Sequence, residues 1–139
     1  MAFTNKILLD ANVWIRFVAN GKQATLYNIF KTHGFTVICN NYLLHEIFSA
    51  CVENEWYTDK EAKEIINDIR KAVKGTTERA VYGLSPDAKD NFLFDLAIQN
   101  NCLFMVSDDG NLRRMPLLPI RIETTNWFVK HHPVILKKY

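Results

Sequence analysis

Six acids stand where apolar segments of this chain end or turn over. Asp10 follows Ile7-Leu8-Leu9 directly, and Glu46 closes Asn40-Asn41-Tyr42-Leu43-Leu44-His45-Glu46. Asp90 and Asp95 lie within Asp87-Ala88-Lys89-Asp90-Asn91-Phe92-Leu93-Phe94-Asp95-Leu96-Ala97, and Asp108 and Asp109 follow Leu103-Phe104-Met105-Val106-Ser107. Each acid alone has an ordinary structural use. Asp10 or Asp90 can cap a helix. Glu46 can reach solvent from a helix edge, Asp95 can be a partly exposed helix acid, and Asp108-Asp109-Gly110 can be a turn. Brought to one point they would repel, and burial without cations would be costly. A hard divalent cation relieves that cost: Mg²⁺ takes oxygen ligands, one or two carboxylates among them, and it activates water and clamps phosphodiester oxygens. The chain offers no softer donor set. Cys39, Cys51 and Cys102 are widely spaced with no C-x-x-C, and His33, His45, His131 and His132 lack ligand spacing. His45 neighbours Glu46 on a helix and points elsewhere.

The elements that must position these acids alternate along the chain. Lys6–Leu9 reads as a buried strand. Val13, Trp14, Phe17 and Val18 recur at helical spacing up to Asn20-Gly21, and Lys22–Thr32 reads as a second helix stopped by His33-Gly34. Thr36–Cys39 is a second strand. Asn40 or Asn41 caps a third helix whose apolar face is Leu43, Leu44, Ile47, Phe48 and Cys51. Thr58 caps a helix over Asp59–Lys74, with Ala62, Ile65, Ile66 and Ile69 inward and a charged outer face, the usual pattern of a solvated surface. Gly75–Thr77 breaks it, and Glu78–Leu84 is a candidate edge strand. Ser85-Pro86-Asp87 is turn chemistry before a helix over Asp90–Asn100. Cys102–Val106 is a third apolar strand, Asn111–Met115 a short helix, Ile120–Ile122 a further strand, and Thr124 or Thr125 caps a last helix through Val129.

Such alternation predicts a three-layer α/β/α sandwich with a central, mainly parallel sheet of four or five strands. Sites in these sheets form outside the carboxyl ends of the strands. Asp10 and Asp108-Asp109 each follow a strand, and Glu46 lies shortly after another, so all are expected at one rim.

Composition is consistent with this. The chain has 139 residues, enough for one domain with a core, and 48% of them are hydrophobic. A net charge of +2 excludes a strongly basic nucleic-acid clamp but permits a local basic patch. The cysteines sit among apolar residues and read as buried free thiols of a reducing compartment. Met1-Ala2-Phe3-Thr4 runs straight into a strand-like segment, so no signal peptide is expected. No apolar stretch approaches the roughly 20 residues that span a bilayer. A cytoplasmic protein with no membrane association is expected.

Four segments carry a family resemblance. Leu8-Leu9-Asp10-Ala11-Asn12-Val13 resembles the opening L-D-T-N-V of PIN-domain ribonucleases, and Asn40 to Glu46 resembles their second motif. Asp87 to Ala97 is similar to D-P-x-D-N-x-F-L-E-C-A, and Val106-Ser107-Asp108-Asp109-Gly110-Asn111-Leu112 to V-T-G-D-K-D-L. The likeness runs in order from about Lys6 to Val129, and the branch resembled includes VapC-like toxins of bacterial toxin–antitoxin systems. It implies a PIN-like nuclease domain over residues 1–130; composition marks residues 131–139 as a basic tail. It implies catalytic and metal-binding acids at Asp10, Glu46, Asp90 and Asp109, holding Mg²⁺ or Mn²⁺. Asn12, Asp95, Ser107 and Asp108 would be auxiliary, orienting ligands or water. Ala11 replaces the usual Thr, Asp108 stands where Gly is common, and Asn111 where Asp is common. The choice between Asp108 and Asp109 is therefore open; alignment with the fourth motif favours Asp109.

The implied activity is metal-dependent hydrolysis of RNA phosphodiester bonds by a homodimeric toxin, blocked by a cognate antitoxin protein. Arg113 and Arg114 follow the fourth motif and are the first candidates for the RNA backbone, with Arg16, Lys22 and Lys89 behind them. Tyr42, Trp14 and Trp127 could stack bases, although the two tryptophans suit a core or an interface better. Two other readings compete. One is a catalytically weakened RNA-binding or scaffold protein of the same fold, motivated by Asp108 and Asn111. The other is a phospho-receiver or phosphatase-like domain around Asp10, which leaves Glu46 and the Asp90–Asp95 helix without a role. A Gly-rich phosphate loop is absent, against a nucleotide-binding enzyme.

Overall fold

Three apolar tripeptides, Ile7-Leu8-Leu9, Val37-Ile38-Cys39 and Phe104-Met105-Val106, are almost wholly removed from solvent. Continuous apolar runs of this kind belong to strands covered on both faces, the mark of a parallel sheet between helix layers. The computed structural model describes residues 5–75, 88–113 and 120–134, with 88–92, 94, 111 and 113 by backbone alone. Within them the order is β1 (Lys6–Leu9), α1 (Ala11–Ala19), α2 (Gln23–His33), β2 (Thr36–Cys39), α3 (Asn41–Glu53), α4 (Asp59–Ala72) and β3 (Lys74–Gly75). Then follow α5 (Ala88–Gln99), β4 (Phe104–Val106), α6 (Gly110–Arg113), β5 (Ile122–Glu123) and α7 (Thr125–His131). The five strands pair in the order β3-β2-β1-β4-β5, all parallel, with flanking helices: an α/β/α sandwich.

The chain starts in the middle of the sheet, winds outward through β2 to β3, and returns to the other side of β1 for β4. The strand order therefore reverses between β1 and β4, and an open crevice is expected at the carboxyl end of that pair. Register makes the crevice level. Leu8 faces Ile38, Leu9 faces Val106, and Val106 faces Glu123, so the strands end along one line.

Local chemistry fixes the helix starts. The Asn40 side chain accepts from the Leu43 amide at 3.0 Å, so α3 begins one residue past β2. Thr58 and Glu61 form a reciprocal capping box on α4. Thr124, rather than Thr125, caps α7. Gly34 ends α2 at φ 69°, a left-handed position that glycine adopts without strain.

Two strands differ from the pattern reading. α4 stops at Ala72, and Lys74-Gly75, expected as helix end and breaker, pair with Ile38 and Cys39 as the sheet edge. The strand expected over Glu78–Leu84 lies outside the described residues. β5 falls at Ile122–Glu123, where the backbone meets β4, rather than at Ile120–Ile122. Residues 131–134, which charge alone assigns to a tail, lie against the core. His132 packs edge-on to Phe35 with centroids 5.0 Å apart, His33 Nε2 lies 3.0 Å from the Pro133 carbonyl oxygen, and Val134 is half-buried. Cys39 and Cys51 are buried free thiols and Cys102 is half-buried. Burial pushes the Cys39 thiol up to about 12, which keeps it protonated and unreactive. No helix among the described residues is long and apolar enough to cross a membrane.

Candidate active site

The parallel ladder continues one step beyond the ends of β1 and β4. The Asp10 amide donates to the Val106 carbonyl at 3.0 Å, and the Ser107 amide to the Glu123 carbonyl at 2.9 Å. Asp10 and Ser107 thus take their positions from sheet pairing rather than from loop conformation. Both are buried, Asp10 at 9% exposure. Ser107 Oγ donates to Asp10 Oδ2 at 3.0 Å, and the Asp109 amide in turn donates to Ser107 Oγ at 3.2 Å. One hydroxyl therefore couples the carboxylate after β1 to the backbone carrying the acid after β4.

Asp10 starts α1 as its N-terminal flanking residue but makes no full side-chain cap bond. Burial pushes its carboxyl pKa up. The Ser107 hydroxyl and the nearby amides of Asn12 and Ala11 pull it down without cancelling that effect, and the charge of Asp109 pushes it further up. Among the described residues no Lys, Arg or His forms an ion pair with Asp10.

Asp108 is engaged differently. Its Oδ1 accepts from the Thr125 amide at 2.9 Å, and its Oδ2 accepts from Thr125 Oγ1 at 2.6 Å and from the Arg16 guanidinium at 3.3 Å. Partial burial acts upward on its carboxyl, but Thr125 and Arg16 outweigh it and hold the pKa below the ordinary range. Asp108 thus fastens α7 and α1 to the end of β4, while Asp109 is the acid whose charge bears on Asp10.

The remaining acids are placed as follows. Glu46 is half-buried on α3, which starts at the same rim and packs on α1, and no hydrogen bond joins it to Asp10. Asp90 falls in the first turn of α5, with its side chain outside the described part. Asp95, on the same helix, is 1% exposed, well below the partial exposure usual for a helix acid. Asn12 is exposed in the first turn of α1. Arg113 ends α6, its side chain undescribed, and Arg114 lies outside the described residues, as do the side chains of Lys89 and Asn111. Trp14 is a core residue, packed edge-on to Phe30, while Trp127 is half-buried and stacks on His131. His45, exposed, lies by Ser49 on its own helix.

Among the described residues no group of three or more His, Cys, Asp or Glu side chains stands ready-made around one point. The donor chemistry nonetheless fits a hard cation. Asp10 and Asp109 offer carboxylate oxygens, one of them buried with no cationic partner, and Ser107 braces the first. Pattern reading missed the Thr125–Asp108 clip. Two adjacent threonines before a helix signal a cap, but nothing local says that the second turns back to an acid of another element.

A parallel doubly wound sheet with acids gathered past its switch point defines an α/β protein with an acidic rim site. The sequence model of the PIN domain, a nuclease-type fold, matches residues 6–111, from the first residue of β1 into α6, and the chain belongs to that family. No curated protein matches the chain.

Proposed function

We propose that the chain is a divalent-metal-dependent endoribonuclease that hydrolyses RNA phosphodiester bonds, and that it is the toxin of a toxin–antitoxin pair. The observation that carries this reading is the buried Asp10 carboxylate at the β1/β4 switch point, held by Ser107 and set against the charge of Asp109. In this reading Asp10, Glu46, Asp90 and Asp109 hold the ion. Mg²⁺ or Mn²⁺, when bound, neutralises the gathered carboxylates and supplies Lewis acidity to the phosphodiester.

The chain's own residues do the rest. The donated Ser107 hydrogen bond favours the charged form of Asp10 and fixes its rotamer. The ladder bonds at Asp10 and Ser107 keep the two strand ends in one geometry, so little reorganisation is needed when substrate arrives. Asn12 and Asp95 orient neighbouring groups, and Arg113 and Arg114 take backbone phosphates. Cleavage leaves 5′-phosphate and 3′-hydroxyl ends. The proposal extends to a homodimer, a cytoplasmic location, an antitoxin that covers the site, and a nuclease domain over residues 1–130.

The test is cleavage of defined RNAs with Mg²⁺ or Mn²⁺, with EDTA, and with Asp10→Ala. Cleavage is expected only with metal, and at least about 100-fold slower in the variant. An unchanged rate in the variant removes Asp10 from the mechanism. The product of an adjacent short reading frame should bind the chain and stop cleavage; a product that leaves cleavage intact sinks the toxin assignment.

A further inference from the structure

Beside the Asp108 clip a cleft of about 590 Å³ opens between the end of α1 and α7. Arg16 and Lys22 line one wall, Asn126 and Lys130 the other, and Phe17 and Val129 form apolar ground between them. Among the described residues no carboxylate lines it. Arg16 and Thr125, which both hold Asp108, also line the cleft, so it adjoins the turn that carries Asp109. Arg16 is partly neutralised by Asp108 at 3.3 Å. Lys22 and Lys130 are exposed, and neither forms an ion pair among the described residues.

Three cations around a half-apolar trough are an unusual use of surface in a chain of net charge +2. The cations suit phosphates and the apolar ground suits the face of an unpaired base, the combination single strands require. A duplex would offer its bases no such contact. An acidic peptide would satisfy the cations but leave Phe17 and Val129 unused.

We propose that this cleft is a subsite for a nucleotide of single-stranded RNA flanking the scissile bond. Lys22 and Lys130 contact its phosphates, and the base lies against Phe17 and Val129. The proposal rests on the nuclease reading for its substrate, but its test is independent of cleavage. A fluorescein-labelled oligouridylate of about ten nucleotides is titrated in EDTA at several salt concentrations. The proteins are the wild-type chain, Lys22→Gln/Lys130→Gln, and a control, Lys60→Gln/Lys71→Gln, on the exposed face of α4. Removing two phosphate contacts should weaken binding and lower the salt slope by about 1.4, at roughly 0.7 per contact for single strands. The control should keep the wild-type slope.

An unchanged slope in Lys22→Gln/Lys130→Gln, an equal loss in the control, or no binding by the wild type overturns the subsite. Tighter binding of a polyglutamate peptide, lost in the same variant, also overturns it in favour of an acidic protein segment. Cleavage of RNA by the wild type is scored separately. A chain that cleaves but keeps its slope in the variant retains the nuclease reading and loses the subsite. One that shows the slope change but cleaves nothing retains single-strand binding in the cleft and loses the nuclease reading.

Discussion

Ser107→Ala removes one oxygen and tests how Asp10 is held. The lost bond is 3.0 Å long, buried, and ends on a carboxylate whose pKa burial already pushes up. Hydrogen bonds to charged groups contribute about 1.5–3 kcal/mol. The Asp109 amide also loses its acceptor at 3.2 Å, but it is more exposed and water can replace that partner. At an unfolding entropy of about 2.1 cal/mol/K per residue, the metal-free variant should melt about 5–10 °C below the wild type near neutral pH. The pH dependence has a definite sign. Asp10 has a raised folded pKa, so its contribution to stability is fully present below the unfolded value and is lost as pH rises through the folded one. Without Ser107 the folded pKa rises further, so the loss on going to neutral pH is larger. The gap between variant and wild type should therefore be small in acid and open as pH rises. Thermal melts by circular dichroism in EDTA, from about pH 4 to pH 8, measure this. A gap that is small at neutral pH, or the same across the range, would refute the view that Ser107 stabilises a charged Asp10.

The same linkage makes Asp10→Asn raise the melting temperature of the metal-free chain near neutral pH, with the gain vanishing in acid; a lower melting temperature would contradict the sign of the Asp10 shift. Mn²⁺ should raise the melting temperature of the wild type and not of Asp10→Asn. Thr125→Val removes the hydroxyl bond to Asp108 and keeps the amide bond; it should cost about 1–2 kcal/mol in a urea melt, while slowing RNA cleavage far less than Asp10→Ala. The lowered Asp108 pKa stabilises above the unfolded value and is lost as pH falls through the folded one, so the deficit of Asp108→Asn should close in acid. Thr58→Ala breaks the capping box on α4 and should cost about 1 kcal/mol, with faster amide exchange confined to that helix's first turn.

Much of the fold is legible because its signals are local. Ile7-Leu8-Leu9 and Val37-Ile38-Cys39 announce strands buried on both faces, and Asn40 and Thr58 announce helices through cap chemistry that acts within three residues. β3 is illegible for the opposite reason. Lys74-Gly75 is short and exposed, and only Ile38 and Cys39 beside it make it a strand. β5 is displaced because pairing with Met105 and Val106, not apolarity, decides which residues join the sheet.

The acidic rim divides in the same way. That Asp10 and the Asp108-Asp109 pair share an edge follows from acids placed after parallel strands. The Ser107–Asp10 bond joins residues 97 apart, and only the β1/β4 pairing creates it. The different employment of Asp108 and Asp109 also depends on a distant partner, since Thr125 and Arg16 reach the first of the two. Neighbouring identical residues carry no sequence signal for such a division.

The central claim is that Asp10 and Asp109 share a divalent ion while Asp108 serves as a clip. Calorimetric titration of Mn²⁺ into the wild type, Asp10→Asn, Asp109→Asn and Asp108→Asn tests it most directly. The expected result is binding heat in the wild type and Asp108→Asn, and none in Asp10→Asn or Asp109→Asn. Wild-type heat retained in Asp10→Asn, or heat abolished by Asp108→Asn but not by Asp109→Asn, would contradict it.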